Sequence, residues 1–161
     1  MTSKEARALT KKWLKEKGFK QIKISGRNNN FIHPMGAFNV YVTFYKPWFD
    51  DCYNYEVGCY FDECEYGGVT IRVLDLPSNP NQFKGGISQG FYYGELTEEQ
   101  YLQLLDEMFD KYLKPYYEKG VAYLKEILLN GDHLFERDAY WIEKDARRKM
   151  NELFGSNTGF D

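Results

Sequence analysis

The spacing of apolar residues changes twice along the chain, and each change marks an element. In the first stretch Ala6, Leu9 and Trp13 recur at a helical interval, while Lys4, Arg7, Lys11 and Lys15 line another side. Thr2, with Glu5 three residues on, makes a capping box that starts this helix, and Gly18 ends it. The period then shortens to two. Ile22 and Ile24 alternate with Lys23, SGRNNN supplies turn chemistry, and a short FIH segment is halted by Pro34, so a hairpin is expected. In 38–44, Phe38, Val40, Val42 and Phe44 share one face, with Asn39, Tyr41 and Thr43 on the other. In 53–61, Tyr53, Tyr55, Val57, Cys59 and Phe61 alternate with Asn54, Glu56, Gly58 and Tyr60. KPWFDDC joins these two strands, and VTIRVL at 69–74 makes a further one after Gly67 and Gly68. Residues 77–94 are rich in Pro, Asn, Gly and Ser and read as a long loop, interrupted at FYY by a short aromatic strand.

Helical spacing returns after the loop. Thr97 and Gln100 form a second capping box, followed by the stripe Leu104, Leu105, Met108, Phe109, Tyr112 and Leu113. Pro115 should kink or restart that helix. VAYLKEILLN gives another helix that stops at Gly131, and a last one runs from about Asp138 to Gly155. The pattern predicts an α+β fold: an N-terminal helix, an antiparallel sheet of about four or five strands, and C-terminal helices on one face of the sheet. It is read as one domain over 1–161.

Composition adds a demand for burial. Aromatic residues make up 18% of the chain, with 14 Tyr and 12 Phe, and need either a large core or an adhesive surface. No apolar run approaches the roughly 20 residues that cross a bilayer, and MTSKEARALTKKW is charged where a signal peptide is apolar, so a cytoplasmic protein without a membrane partner is expected. An odd count of three cysteines suits a reducing compartment.

Charge changes the picture more. Residues 1–46 hold ten Lys/Arg against two acids, 47–110 hold thirteen acids against two bases, and 111–161 balance nine against nine. The net charge of −3 thus hides two large blocks of opposite sign. They either screen each other across one surface or face apart as separate docking patches.

The stretch DDCYNYEVGCYFDECE at 50–65 raises the question of a metal site. Cys52, Cys59 and Cys64 lack the paired two-to-four spacing of zinc knuckles, and Cys59 falls on the apolar face of its strand. The acids sit at the two ends of one strand and cannot all reach one ion. No metal, cofactor or catalytic residue is predicted. GISQG at 86–90 matches the nucleophile-elbow pattern around Ser88, but neither the buried strand before it nor the helix right after it is present. FKGGISQG also lacks the ending of a phosphate loop. His33 and His133 lie far apart in sequence. The basic side of the first helix could contact successive phosphates of a nucleic acid.

GFK at 18–20, NNFI at 29–32, FNVYVTF at 38–44 and YEVGCYF at 55–61, behind a short leading helix, resemble the bacterial domain of unknown function 4304 family over about the first 65 residues. The resemblance implies a small α+β domain of the kind found among immunity-like and mobile-element accessory proteins. It carries over no functional residue.

The expected function is non-enzymatic: a protein of the toxin-immunity or phage anti-defence type that uses an acidic, aromatic surface to occupy a basic site on a protein partner. The expected contact residues are Asp50, Asp51, Asp62, Glu63 and Glu65, anchored by Trp48, Tyr60 and Tyr66. The alternatives are a small-molecule or nucleotide-binding enzyme with its site under the 77–94 loop, or nucleic-acid binding through the basic first helix.

Overall fold

The computed structural model describes residues 1–24, 27–62, 68–73, 76–81, 90–135 and 140–155. Helix α1 spans Ser3–Glu16 and is opened by the expected capping box, the Thr2 hydroxyl accepting from Glu5 N–H and the Glu5 carboxylate from Thr2 N–H. Five strands follow: β1 (Lys20–Ile24), β2 (Arg27–Pro34), β3 (Asn39–Tyr45), β4 (Asn54–Tyr60) and β5 (Gly68–Arg72). A sixth, β6 (Tyr140–Ile142), joins the far edge, and the sheet is antiparallel in the simple order β1-β2-β3-β4-β5-β6. The FYY segment contributes one isolated bridge, Phe91 to Tyr53, and not a strand.

The helices cover one face of the sheet. That face carries Phe31, Val40, Val42, Phe44, Tyr55, Val57, Cys59, Val69 and Ile71, all 1% exposed or less. The Thr10 hydroxyl of α1 donates to Ala6 C=O at 2.8 Å and meets the Tyr55 hydroxyl at 2.9 Å, and Tyr55 meets Tyr101 of α2 (Glu98–Met108) at 2.7 Å. With the Thr10 proton given to Ala6, Tyr55 donates to Thr10 and Tyr101 donates to Tyr55. Every hydroxyl in this buried relay therefore has a partner, as a dry core requires. Burial pushes the Tyr55 phenol above its ordinary range and, with the neighbouring Tyr55, does the same to Tyr101.

The other face alternates with the first, as the period of two predicts, and carries Asn39, Tyr41, Thr43, Glu56, Gly58 and Thr70. The Tyr41 and Thr70 hydroxyls bond across two strands, and Glu56 pairs with Arg72 at 3.8 Å. A Cβ on Gly58 would lie 1.7 Å from the carbonyl oxygen of Val69, so β4 and β5 pass too close there for any side chain.

In the C-terminal half the helix restarts at Pro115, as expected. A π turn over Phe109–Leu113 joins α2 to α3 (Lys114–Lys119), and Pro115 falls in the first turn of α3, where no N–H is needed. Gly120, with φ at 57°, then separates α3 from α4 (Val121–Leu134). Helix α4 breaks at Asn130, where φ is −132°, one residue before the expected stop, and a short further turn follows; the missing Cβ of Gly131 admits the Tyr140 ring, whose atoms come within 2.8–3.0 Å of where that Cβ would lie. Finally, β6 occupies part of the segment expected to be helical, and α5 begins only at Lys144 and ends at Phe154. Tyr140 and Ile142 fall opposite Ile71 and Val69 on the covered face, so pairing with β5 decides their conformation. Among the described residues, no helix is long and apolar enough to cross a membrane.

Candidate functional site

The connection between β3 and β4 turns sharply at 47–50. Pro47 is buried, and its C=O accepts the Asp50 N–H at 3.5 Å, which puts Trp48 and Phe49 at the two corner positions. Trp48 is 93% exposed and Phe49 59%. Their rings meet edge to face, 5.5 Å between centroids.

The base of this turn is latched to the segment after the long loop. The Tyr92 hydroxyl donates to Asp50 at 2.6 Å, and the Tyr93 hydroxyl donates to Asp51 at 3.3 Å. Asp50 also accepts from the Asp51 N–H at 3.0 Å, and Lys46 pairs with Asp51 at 3.4 Å. Burial, and next to it the Asp51 carboxylate, push the Tyr93 phenol up, so it stays a hydrogen-bond donor through neutral pH. The Tyr93 ring meets Tyr53 at 5.8 Å, Tyr53 meets Phe44 edge to face at 5.4 Å, and Phe44 stacks on Tyr55 at 5.5 Å, which ties the latch to the core. The exposed rings thus stand on a fixed support.

Tyr60 and Asp62 lie at the opposite end of β4. Asp62 is exposed and accepts from the Asn39 amide at 2.9 Å; Tyr60 is half-buried. The seven residues of β4 hold the two ends about 20 Å apart. The structure therefore brings Trp48, Asp50 and Asp51 together and leaves Tyr60 and Asp62 outside that group. Glu63, Glu65 and Tyr66 lie outside the described residues, as do Cys64 and Ser88. Phe49, Lys46, Tyr92 and Tyr93 were not singled out from the sequence. The turn signal of Pro47 could have pointed to Phe49, but nothing local marks two tyrosines more than forty residues away as its support.

The two described cysteines are explained by packing. Cys52 and Cys59 are fully buried, and burial raises the Cys59 thiol to about 12. Among the described residues, no three His, Cys, Asp or Glu side chains come together as a metal-ligand set. The described ends of the long loop are tied down by buried amides: Asn79 donates to Gly90 C=O at 3.2 Å and Asn81 to Glu95 at 2.8 Å.

No protein-family model, curated protein or solved structure matches the chain. The resemblance to the domain of unknown function 4304 family stands on the residues quoted for it alone.

Proposed function

We propose that this chain is a non-enzymatic binding protein, of the toxin-immunity or phage anti-defence type, whose Trp48–Phe49 turn enters an apolar pocket rimmed by basic residues on a protein partner. The observation that carries the proposal is a 93% exposed tryptophan held on a latched turn. Burying such a ring in a partner is worth roughly 1.5–3 kcal/mol, and a fixed support lowers the ordering cost of binding. Asp50 and Asp51 beside the rings set the sign of the rim they meet and steer approach. The same two acids disfavour an anionic bilayer as the surface that receives the rings. Asp62, at the other end of β4, adds to the long-range attraction.

The test is affinity capture from the native host with three baits: the wild-type chain, Trp48→Ala/Phe49→Ala, and Asp50→Lys/Asp51→Lys. A partner held by the wild type and lost by the ring variant, with association slowed at low salt by the charge variant, is the expected result. Equal capture of the same protein by all three baits would refute the proposal.

A further inference from the structure

A second surface, along helix α1, has the opposite charge. Lys4, Arg7, Lys11 and Lys15 follow one another along about 16 Å of α1. Helical geometry sets them beside the buried stripe of Ala6, Thr10, Trp13 and Leu14, on the side that Arg7 turns toward β2 by donating from Nε to Asn29 at 3.1 Å. In the hairpin the Ile22–Asn30 pair precedes a register shift, and exposed Lys23 stands at that shift, next to the strand segment that holds Asn29. Exposed Lys12 borders the same strip. Among the described residues, no acid lies in ion-pair range of Lys4, Lys11, Lys12, Lys15 or Lys23. Glu5, the acid nearest the start of the helix, is engaged in the capping box.

The described acids of the 47–110 block thus form no ion pair with these lysines. Helix α2 packs on the apolar side of α1, where its Asp106 accepts from the Trp13 indole at 2.9 Å, and its other acids do not reach the lysines. Burial, and then repulsion from Arg7 and Lys15, lower the Lys11 ammonium from its ordinary value, as expected in a row of like charges.

We infer that the α1 flank, extended by Lys23, is a nucleic-acid contact surface that takes the phosphate backbone without reading base sequence. The strip spans the rise of about five nucleotide steps. It presents cations to phosphates and offers no recognition helix aimed into a groove, so it binds by charge alone. This surface is separate from the Trp48 turn, and neither inference depends on the other.

The test is fluorescence anisotropy with the full chain and labelled DNA of about 20 nucleotides, single-stranded and as duplex. With the four α1 side chains each displacing one counterion, the log–log slope against salt is about −3.6 for the duplex and about −2.8 for the single strand, and duplex affinity falls roughly a hundredfold between 50 and 200 mM salt. Lys11→Glu/Lys15→Glu, with unchanged circular dichroism, is expected to flatten the duplex slope to about −1.8 and weaken binding sharply, while Trp48→Ala leaves both unchanged. Absence of binding at 50 mM salt overturns the inference. So does binding that ignores Lys11→Glu/Lys15→Glu, or displacement of the DNA by poly-glutamate at equal charge, which would assign the strip to an acidic protein.

Discussion

Tyr55 and Trp48 are seven residues apart and belong to the same strand-turn unit, yet Tyr55 is 1% exposed and Trp48 93%. Tyr55 points into the face that α1 and α2 cover, and its hydroxyl is the middle of the Thr10–Tyr55–Tyr101 relay. Trp48 sits at the corner of a turn whose base is hydrogen-bonded and at whose tip it meets Phe49 edge to face. Aromatic content alone does not separate core from contact surface. The difference lies in whether another element returns over the ring and supplies a partner for its polar atom. Phe91 and Tyr101 do so for Tyr55, at 4.5 Å from its ring and 2.7 Å from its hydroxyl.

The contrast breaks most strongly at Tyr101. Truncation by Tyr101→Ala removes a fully buried ring, its edge-to-face contact with Phe91, and the donor to Tyr55. A loss of about 3–5 kcal/mol is expected, read as a fall in the urea midpoint at unchanged slope. A loss under about 1 kcal/mol would mean that the relay is not part of the folded core.

Alkaline pH probes the same set of rings without a substitution. Burial raises the phenols of Tyr55, Tyr101 and Tyr116, and takes those of Tyr117 and Tyr123 to about 12. In the unfolded chain these groups ionise near pH 10. Below that value both states hold the proton, and this contribution to stability is fully present. Above it the unfolded chain binds fewer protons than the folded one, so stability falls as pH rises through about 12 for Tyr117 and Tyr123, and the raised phenols of the deeper three act in the same direction. Urea midpoints at pH 8, 9, 10 and 11, followed with tyrosinate absorbance, are expected to drop beyond about 10, with a tyrosinate signal that jumps on unfolding. A flat profile with all phenols titrating in the native state would show that these rings are open to water.

How much of this contrast the chain announces locally varies from element to element. Both capping boxes were legible because a cap is made within four residues, and both form as expected. The alternation in β3 and β4 was legible because one face of each is sealed by helices. Strand β6 was not, since three residues carry no period and Tyr140–Ile142 takes its conformation from β5, about seventy positions earlier. The acidic stretch misled in another way: residues clustered at 50–65 suggest one patch, whereas the straight run of β4 drives its two ends apart. The latch from Tyr92 and Tyr93 has no local signal either, because it is made across the long loop.

The smallest effect is expected at the tip, and it is the one that completes the comparison. Trp48→Ala/Phe49→Ala removes two large rings, but Trp48 touches little besides Phe49, and the turn is held by Pro47, Asp50, Tyr92 and Tyr93, which remain. Most of the apolar area deleted is already in water in the folded state, so the unfolded and folded chains gain almost equally from its removal. The expected change in stability is within about 0.5 kcal/mol, against about 3–5 for Tyr101→Ala. Iodide quenching checks the premise independently: Trp48 is 93% exposed against 38% for Trp141 and 5% for Trp13, so the larger part of the accessible emission should be lost with it. A destabilisation above about 1 kcal/mol would show that the rings are packed in solution, and the turn would then belong to the core that Tyr55 represents.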